Sequence, residues 1–273
     1  MVIHMTNELE DKVVVVTGAA RGIGQALVTG FRIAGAKVVA LDKQWDEEDP
    51  FSRELANDPR VLVIPCNLLS DAEVREALAA TLQMFGRVDV LVNNAAMRQR
   101  DFFPADGACE VLKTTDEQWE RMFSVNVTSQ LRIIRAFIEP MLGQARGHVI
   151  NISAKGGVSY TKEGGTWSMG PHLRFNQPYD ASKAAFTNMT FYLAEEVRAA
   201  GVAVNLVFPG AIRSTGVDEM EEGRRRLGIQ MRLGAPEEVV PLVLHLAAQS
   251  GVEVTGTAFD SVHWNQAHGI RFE

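Results

Sequence analysis

The chain has 273 residues, 46% of them apolar and 22% charged, enough to bury one sizeable core. A net charge of −7 argues against a nucleic-acid partner, and Cys66 and Cys109 alone are too few for a disulfide framework or a structural zinc site. The opening residues lack the basic segment and long apolar stretch of a signal peptide, and no apolar run is long enough to cross a bilayer, so a cytoplasmic location is expected.

Short β-rich runs alternate with amphipathic stretches along the chain. Val13 to Thr17 is a continuous apolar run closed by glycine, as expected of a strand buried on both faces. A helix follows from Gly22 to Ala34, then strands over Lys37 to Asp42 and Val61 to Pro65. Ser70 opens a helix to about Phe85, with Glu73 placed to complete a capping box. Val88 to Asn93 reads as a strand, Asp116 to Leu142 as one helix, and Val149 to Ser153 as the fifth strand. Tyr179 to Ala199 is a long helix, Val202 to Phe208 a strand, Pro236 to Ala248 a helix, and Ala258 to Val262 the last strand. Strands separated by helix-length segments imply an α/β fold: one doubly wound, Rossmann-type domain spanning 1–273, with about seven parallel strands and helices on both faces.

Two segments break the rhythm, 155–178 and 211–233, and both follow the carboxyl end of a strand. Doubly wound folds bind ligands at that edge, so both are expected at the active-site end, the second as a lid. The first is glycine-rich and without clear periodicity; Trp167, Met169 and Phe175 either wall a pocket or pack the insertion onto the domain. The second carries the charge cluster Asp218 to Arg226, read as a solvated face. Arg98, Arg100 and Arg213 lie in loops at the same edge, either solvated or placed for an anionic group on a substrate. The six histidines show no metal-ligand spacing, and no metal site is expected.

Two motifs carry chemistry. Gly18 directly follows the first strand, and Gly22 and Gly24 open the helix after it. Glycine there permits a tight turn, close approach of backbone to a pyrophosphate and close helix packing, with the phosphates at the positive helix end. Asp42 ends the second strand, where a carboxylate binds the adenosine ribose hydroxyls and repels a 2′-phosphate. NAD is therefore expected in preference to NADP, although two cations weigh against it: Arg21 in the glycine turn and Lys43 just after Asp42.

The second motif is Tyr179-Asp180-Ala181-Ser182-Lys183, which puts a phenol and an ammonium one helical turn apart. An ammonium favours the phenolate; bringing a phenol from about 10 to neutrality takes roughly 4 kcal/mol. A tyrosine tuned this way is a general base toward an alcohol or an acid toward a carbonyl.

Together these residues resemble the short-chain dehydrogenase/reductase family, in its single-domain, non-extended branch, from about Asp11 to Val262. Thr17 to Gly24 matches the family's glycine turn, including Arg21 and Ile23, and Asn93-Asn94-Ala95-Ala96 is similar to its Asn-Asn-Ala-Gly segment. The resemblance implies cofactor contacts from Asn67, Leu68, Asn93 and Ala95. It also implies them from Pro209, Gly210 and Ile212, the last through its backbone to the carboxamide. Tyr179 and Lys183 take the catalytic places, with Lys183 also on the nicotinamide ribose, and Asn126 takes that of a proton-relay asparagine. The implied activity is hydride transfer between NAD and a secondary alcohol or ketone by a dimer or tetramer. Two departures stand out: Ala154 falls where the family has its catalytic serine, and the interval from Ser153 to Tyr179 is about twice the usual length. Ser153, the nearest hydroxyl, is taken as the catalytic residue that polarises the substrate oxygen, although strand alternation turns it to the opposite side from Ala154 unless a bulge re-aims it; Ser159 or Ser168 in the next loop is the substitute. Three alternatives stay open: an NADP-dependent carbonyl reductase, a catalytically weakened NAD-binding sensor or scaffold, and an epimerase or dehydratase holding NAD.

Overall fold

A computed structural model describes residues 9–98, 101, 110–155, 161–163, 166–168, 176–213 and 232–272. The first half contains β1 (Val13–Thr17), α1 (Gly22–Ile33), β2 (Lys37–Asp42), α2 (Pro50–Ala56), β3 (Val61–Pro65), α3 (Asp71–Phe85) and β4 (Val90–Asn93). The second contains α4 (Asp116–Phe123), α5 (Ser129–Gly143), β5 (Gly147–Ile152), β6 (Thr161–Glu163), β7 (Thr166–Ser168), α6 (Tyr179–Arg198), β8 (Val202–Phe208), α7 (Val240–Ala248), β9 (Ala258–Asp260) and α8 (Ser261–Ala267).

Seven strands form one parallel sheet in the order β3-β2-β1-β4-β5-β8-β9. Every residue of β1, β4, β5 and β8 is buried, which is why those strands read as unbroken apolar runs rather than alternating ones. Successive side chains point to opposite faces, and the two faces bury separate cores. One packs Val14, Val16 and Val92 against Leu27 and Phe31 of α1 and Leu242 and Leu246 of α7. The other packs Val15, Leu91 and Val149 against Ile133 and Phe137 of α5 and Phe186 of α6. Helices on both faces of a parallel sheet make this the doubly wound α/β class. No described helix is long and apolar enough to cross a membrane.

Several element boundaries differ from the sequence reading. The expected helix over 116–142 is two helices joined by a π-helical turn, Ser124–Thr128. Strand β4 begins at Val90 because the buried Asp89 accepts the Val13 amide through its side chain. The capping box at α3 is half formed: Ser70 Oγ caps the Glu73 amide, while the Glu73 carboxylate takes the Asn67 amide instead. Strand β9 stops at Asp260, whose side chain caps α8, so the expected strand end at Val262 is helical. The insertion contains an antiparallel pair, β6 with β7, in which Glu163 is opposite Thr166.

Candidate active site

Strands β1 and β4 are neighbours, yet the chain leaves β1 toward β2 and leaves β4 toward β5 on the other side. The crevice between their carboxyl ends is the topological switch point at which such sheets bind ligands. Thr17 ties the two ends together: its hydroxyl accepts the amides of Asn94 and Ala95, each at 3.0 Å. The Asn94 side chain returns to the carbonyls of Thr17 and Gly18 at 2.9 and 3.1 Å. Neither Thr17 nor Asn94 is among the site residues expected from the sequence. The signal was a polar side chain at the last position of one buried strand and just after another.

The glycine turn leaves room where a phosphate belongs. Gly22 has φ +59°, and a Cβ there would meet nothing within 4 Å, so the space in front of α1 is open and its backbone is accessible. A side chain at Gly24 would strike the Gly18 carbonyl, which explains the close seating of α1 on the turn. Arg21, exposed at the N-cap of α1, supplies no side-chain cap, and Ile23 packs beside the α1-side core. Asp42 ends β2 with Oδ2 accepting the Ala20 amide at 3.1 Å, so its carboxylate lies against the glycine turn. An open backbone cradle at a positive helix end with a carboxylate beside it fits a dinucleotide.

The other expected cofactor residues divide. Asn67 is exposed and spends Oδ1 on the Leu69 amide, while the Leu68 carbonyl holds Arg132. Asn93 is wholly internal, its amide donating to Asn151 Oδ1 at 2.8 Å. Ala95 sits at the crevice, its carbonyl pinned by Gln130 Nε2. Pro209, Gly210 and Ile212 follow β8; Arg213 and Ala211 bond the backbone of Gly234, fixing the segment that carries Ile212.

The Tyr179–Lys183 pair lies at the carboxyl end of β5. Tyr179 is partly buried at the first position of α6. Lys183, one turn on, is buried, donates to the Ile152 carbonyl at 3.1 Å, and holds Nζ 6.0 Å from the Tyr179 ring centre. Burial lowers the Lys183 ammonium to about 8. The Tyr179 phenol moves the opposite way from the sequence expectation. Burial pushes it above its ordinary value, the Asp180 carboxylate adds to that, and the Arg98 guanidinium pulls it down.

Asn126 occupies the π-helical turn and is fully buried. Its side chain accepts the Met97 amide at 2.8 Å and donates to the Met97 carbonyl at 2.9 Å and to Ser182 Oγ at 3.0 Å. An i→i+5 turn widens the helix, and such bulges recur at functional sites because they re-aim a side chain. Ser153 points as strand alternation predicts, away from Ala154: its hydroxyl lies 2.8 Å from Thr187 Oγ1 and donates to the Lys183 carbonyl. That hydroxyl is a joint between β5 and α6 and is not aimed at the crevice. Ala154, partly buried at the strand end, has no donor to offer. The expected roles of Arg100, Ser159, Met169 and Phe175, the side chains of Trp167 and Ser168, and the charge cluster 218–226 lie outside the described residues.

The family model for short chain dehydrogenases matches residues 12–225. The chain is 42% identical over 264 residues to fluoren-9-ol dehydrogenase of Terrabacter sp. (strain DBF63), covering 96% of this chain and 74% of that one. It is 31% identical over 257 residues to the 3-oxoacyl-acyl-carrier-protein reductase FabG of Thermotoga maritima, covering 91% and 95%. The crystal structure of gox2181 superposes with a TM-score of 0.76 at 26% identity, over 93% of this chain and 95% of that one. The chain therefore belongs to the short-chain dehydrogenase/reductase family, as the motifs implied, and is an oxidoreductase of that family, whose members use nicotinamide dinucleotides.

Proposed function

We propose that the protein interconverts a secondary alcohol and its ketone with NAD, and that the alcohol is a fused-ring aromatic one such as fluoren-9-ol. The observation that carries this reading is the buried Lys183 beside the Tyr179 ring, one helical turn along α6. In the oxidative direction Tyr179 takes the hydroxyl proton of the substrate. Lys183, fixed by the Ile152 carbonyl, keeps positive charge near the phenol, and Asn126 anchors the relay end of the site. The nicotinamide ring, when bound, supplies the hydride acceptor. The Asp42 carboxylate against the glycine turn supports NAD, since it would repel a 2′-phosphate. Likeness to a dehydrogenase of a fused tricyclic alcohol supports the substrate class. So does alanine at position 154, which removes a polar side chain from the mouth of the site.

The same reading takes the chain as one domain, with the β6–β7 insertion over the substrate end. It takes the protein as a cytoplasmic oligomer; Phe191 and Tyr192 of α6, exposed at 40% and 73%, support helix pairing between copies. The test is NADH formation from fluoren-9-ol and a panel of aliphatic and anionic secondary alcohols, with NADP in parallel. Turnover of the fused-ring alcohol with NAD is expected, and Tyr179→Phe should reduce it by about 10²- to 10⁴-fold. Turnover that survives Tyr179→Phe undiminished overturns the acid–base assignment. A clear preference for NADP would instead give Arg21 and Lys43 the upper hand over Asp42.

A further inference from the structure

The loop after β4 is fastened to the first turn of α6 by a continuous chain of hydrogen bonds. Asn126 grips Met97 at both its amide and its carbonyl, and the same side chain donates to Ser182 Oγ. Ser182 in turn donates to the Tyr179 carbonyl at 2.7 Å. Arg98, the next residue after Met97, is therefore held near Tyr179 by two buried side chains rather than by a loose loop. Its own turn is closed: the Arg98 amide donates to Asp101 Oδ2 at 2.6 Å, and the Asp101 amide donates to the Arg98 carbonyl at 3.0 Å. Ala154 meanwhile leaves the site without the hydroxyl that the family carries at that place.

We propose that Arg98 is a positioning residue for proton transfer, its guanidinium holding positive charge against the Tyr179 hydroxyl in a site that lacks a serine at position 154. The proposal rests on Tyr179 being the acid–base group. Burial and the neighbouring Asp180 both disfavour the Tyr179 phenolate, and the Arg98 guanidinium counters them in part. The charged groups near the phenol on described residues are Asp180 and Lys183 on its own helix and Arg98 from the β4 loop. Lys155, at the end of β5, pairs with Asp260 at 3.4 Å, and the Asp101 carboxylate engages the Arg98 backbone. In alcohol oxidation the hydroxyl proton moves to the Tyr179 oxygen, so that oxygen must begin as phenolate. A cation that stabilises the phenolate lowers the pH at which oxidation sets in.

The experiment compares the pH dependence of kcat/KM at saturating NAD for wild type, Arg98→Gln and Arg98→Lys. Ring-carbon NMR of tyrosine-labelled protein, with and without NAD, runs beside it. The chain has 3 tyrosines, and Tyr179→Phe identifies the resonance. Arg98→Gln is expected to move the acid limb and the ring-carbon midpoint upward by about 1 unit, a roughly tenfold loss below the limb. The alkaline plateau should persist, and Arg98→Lys should restore most of the shift. Arg98→Met, which keeps the aliphatic stem, replaces the glutamine variant should that one fail to fold. A limb and midpoint unmoved by loss of the charge overturn the proposal, as does a uniform loss at every pH. Should Tyr179→Phe leave the acid limb intact, the acid–base reading falls instead, and the NMR midpoint still decides whether Arg98 acts on Tyr179.

Discussion

Asp180 sits next to Tyr179, buried, with Oδ1 accepting from Asn176 and Oδ2 without a hydrogen-bond partner among the described residues. A carboxylate in that position is disfavoured, and burial raises the Asp180 carboxyl to about 6, with the Asn176 bond pulling the other way. A folded-state pKa raised above the unfolded one means that the native state binds the proton more tightly. The stabilising contribution of the protonated form is complete below the unfolded value near ~4 and is lost as the pH rises through about 6. At neutral pH the native state carries the cost of a buried, half-satisfied charge. Asp180→Asn keeps the acceptor for Asn176 and removes that charge. It should stabilise the fold at pH 7.5 by up to about 3 kcal/mol and do little at pH 4, as urea melts at the two values would show. An equal effect at both would mean that packing, not ionisation, sets the cost. The sequence displayed Asp180 only as an unremarkable residue inside a motif. Its burial depends on how the start of α6 meets the rest of the protein, which no local pattern encodes.

A chain of buried polar side chains joins three elements beneath the site. Asn93 of β4 donates to Asn151 of β5, Asn151 donates to Thr190 of α6 at 2.9 Å, and Thr190 donates back to the Phe186 carbonyl. Asn151→Ala strands the Asn93 amide and removes a bond to α6, so it should cost about 2–4 kcal/mol in urea unfolding. Replacing Asn93 and Asn151 together by leucine removes donor and acceptor alike and should cost less than the single alanine. Elements whose burial pattern matches their period were readable in the chain. Strands β1, β2, β3 and β8 agree with the expected bounds, because apolar residues filled them and glycine or charge bounded them. The π-helical turn at Asn126 was not legible, because adding one residue to a helical turn leaves the composition of 116–142 unchanged. The β6–β7 pair has a short-range hairpin signal, Gly164-Gly165 between two runs that carry threonine, a strand-former, but that signal is submerged in a glycine-rich segment without clear periodicity. At the site, the Gly turn, Asp42, Tyr179 and Lys183 were readable because their chemistry is local. The inward turn of Asn93 is a tertiary fact.

At the scale of the whole molecule, the two packed faces of the sheet meet at the crevice between β1 and β4, where the chain changes direction. A ligand there touches the ends of β1, β2 and β4 and the start of α1, elements that carry residues of both cores. Binding should therefore stabilise the fold as a unit rather than one loop. A ligand that binds only the native state contributes about 2.7 kcal/mol when present at one hundred times its Kd. For a chain of this size, at about 2–4 °C per kcal/mol, that corresponds to a rise in melting temperature of roughly 5–10 °C. NAD at that excess should give such a shift, and NADP at the same concentration a smaller one, because its 2′-phosphate meets the Asp42 carboxylate. Asp42→Ala should shrink the gap between the two cofactors by weakening NAD and relieving NADP. Differential scanning fluorimetry across a cofactor titration measures all of this without turnover. Equal shifts from NAD and NADP in the wild-type protein would show that Asp42 does not select the cofactor. A shift from neither would remove the crevice from consideration as the dinucleotide site.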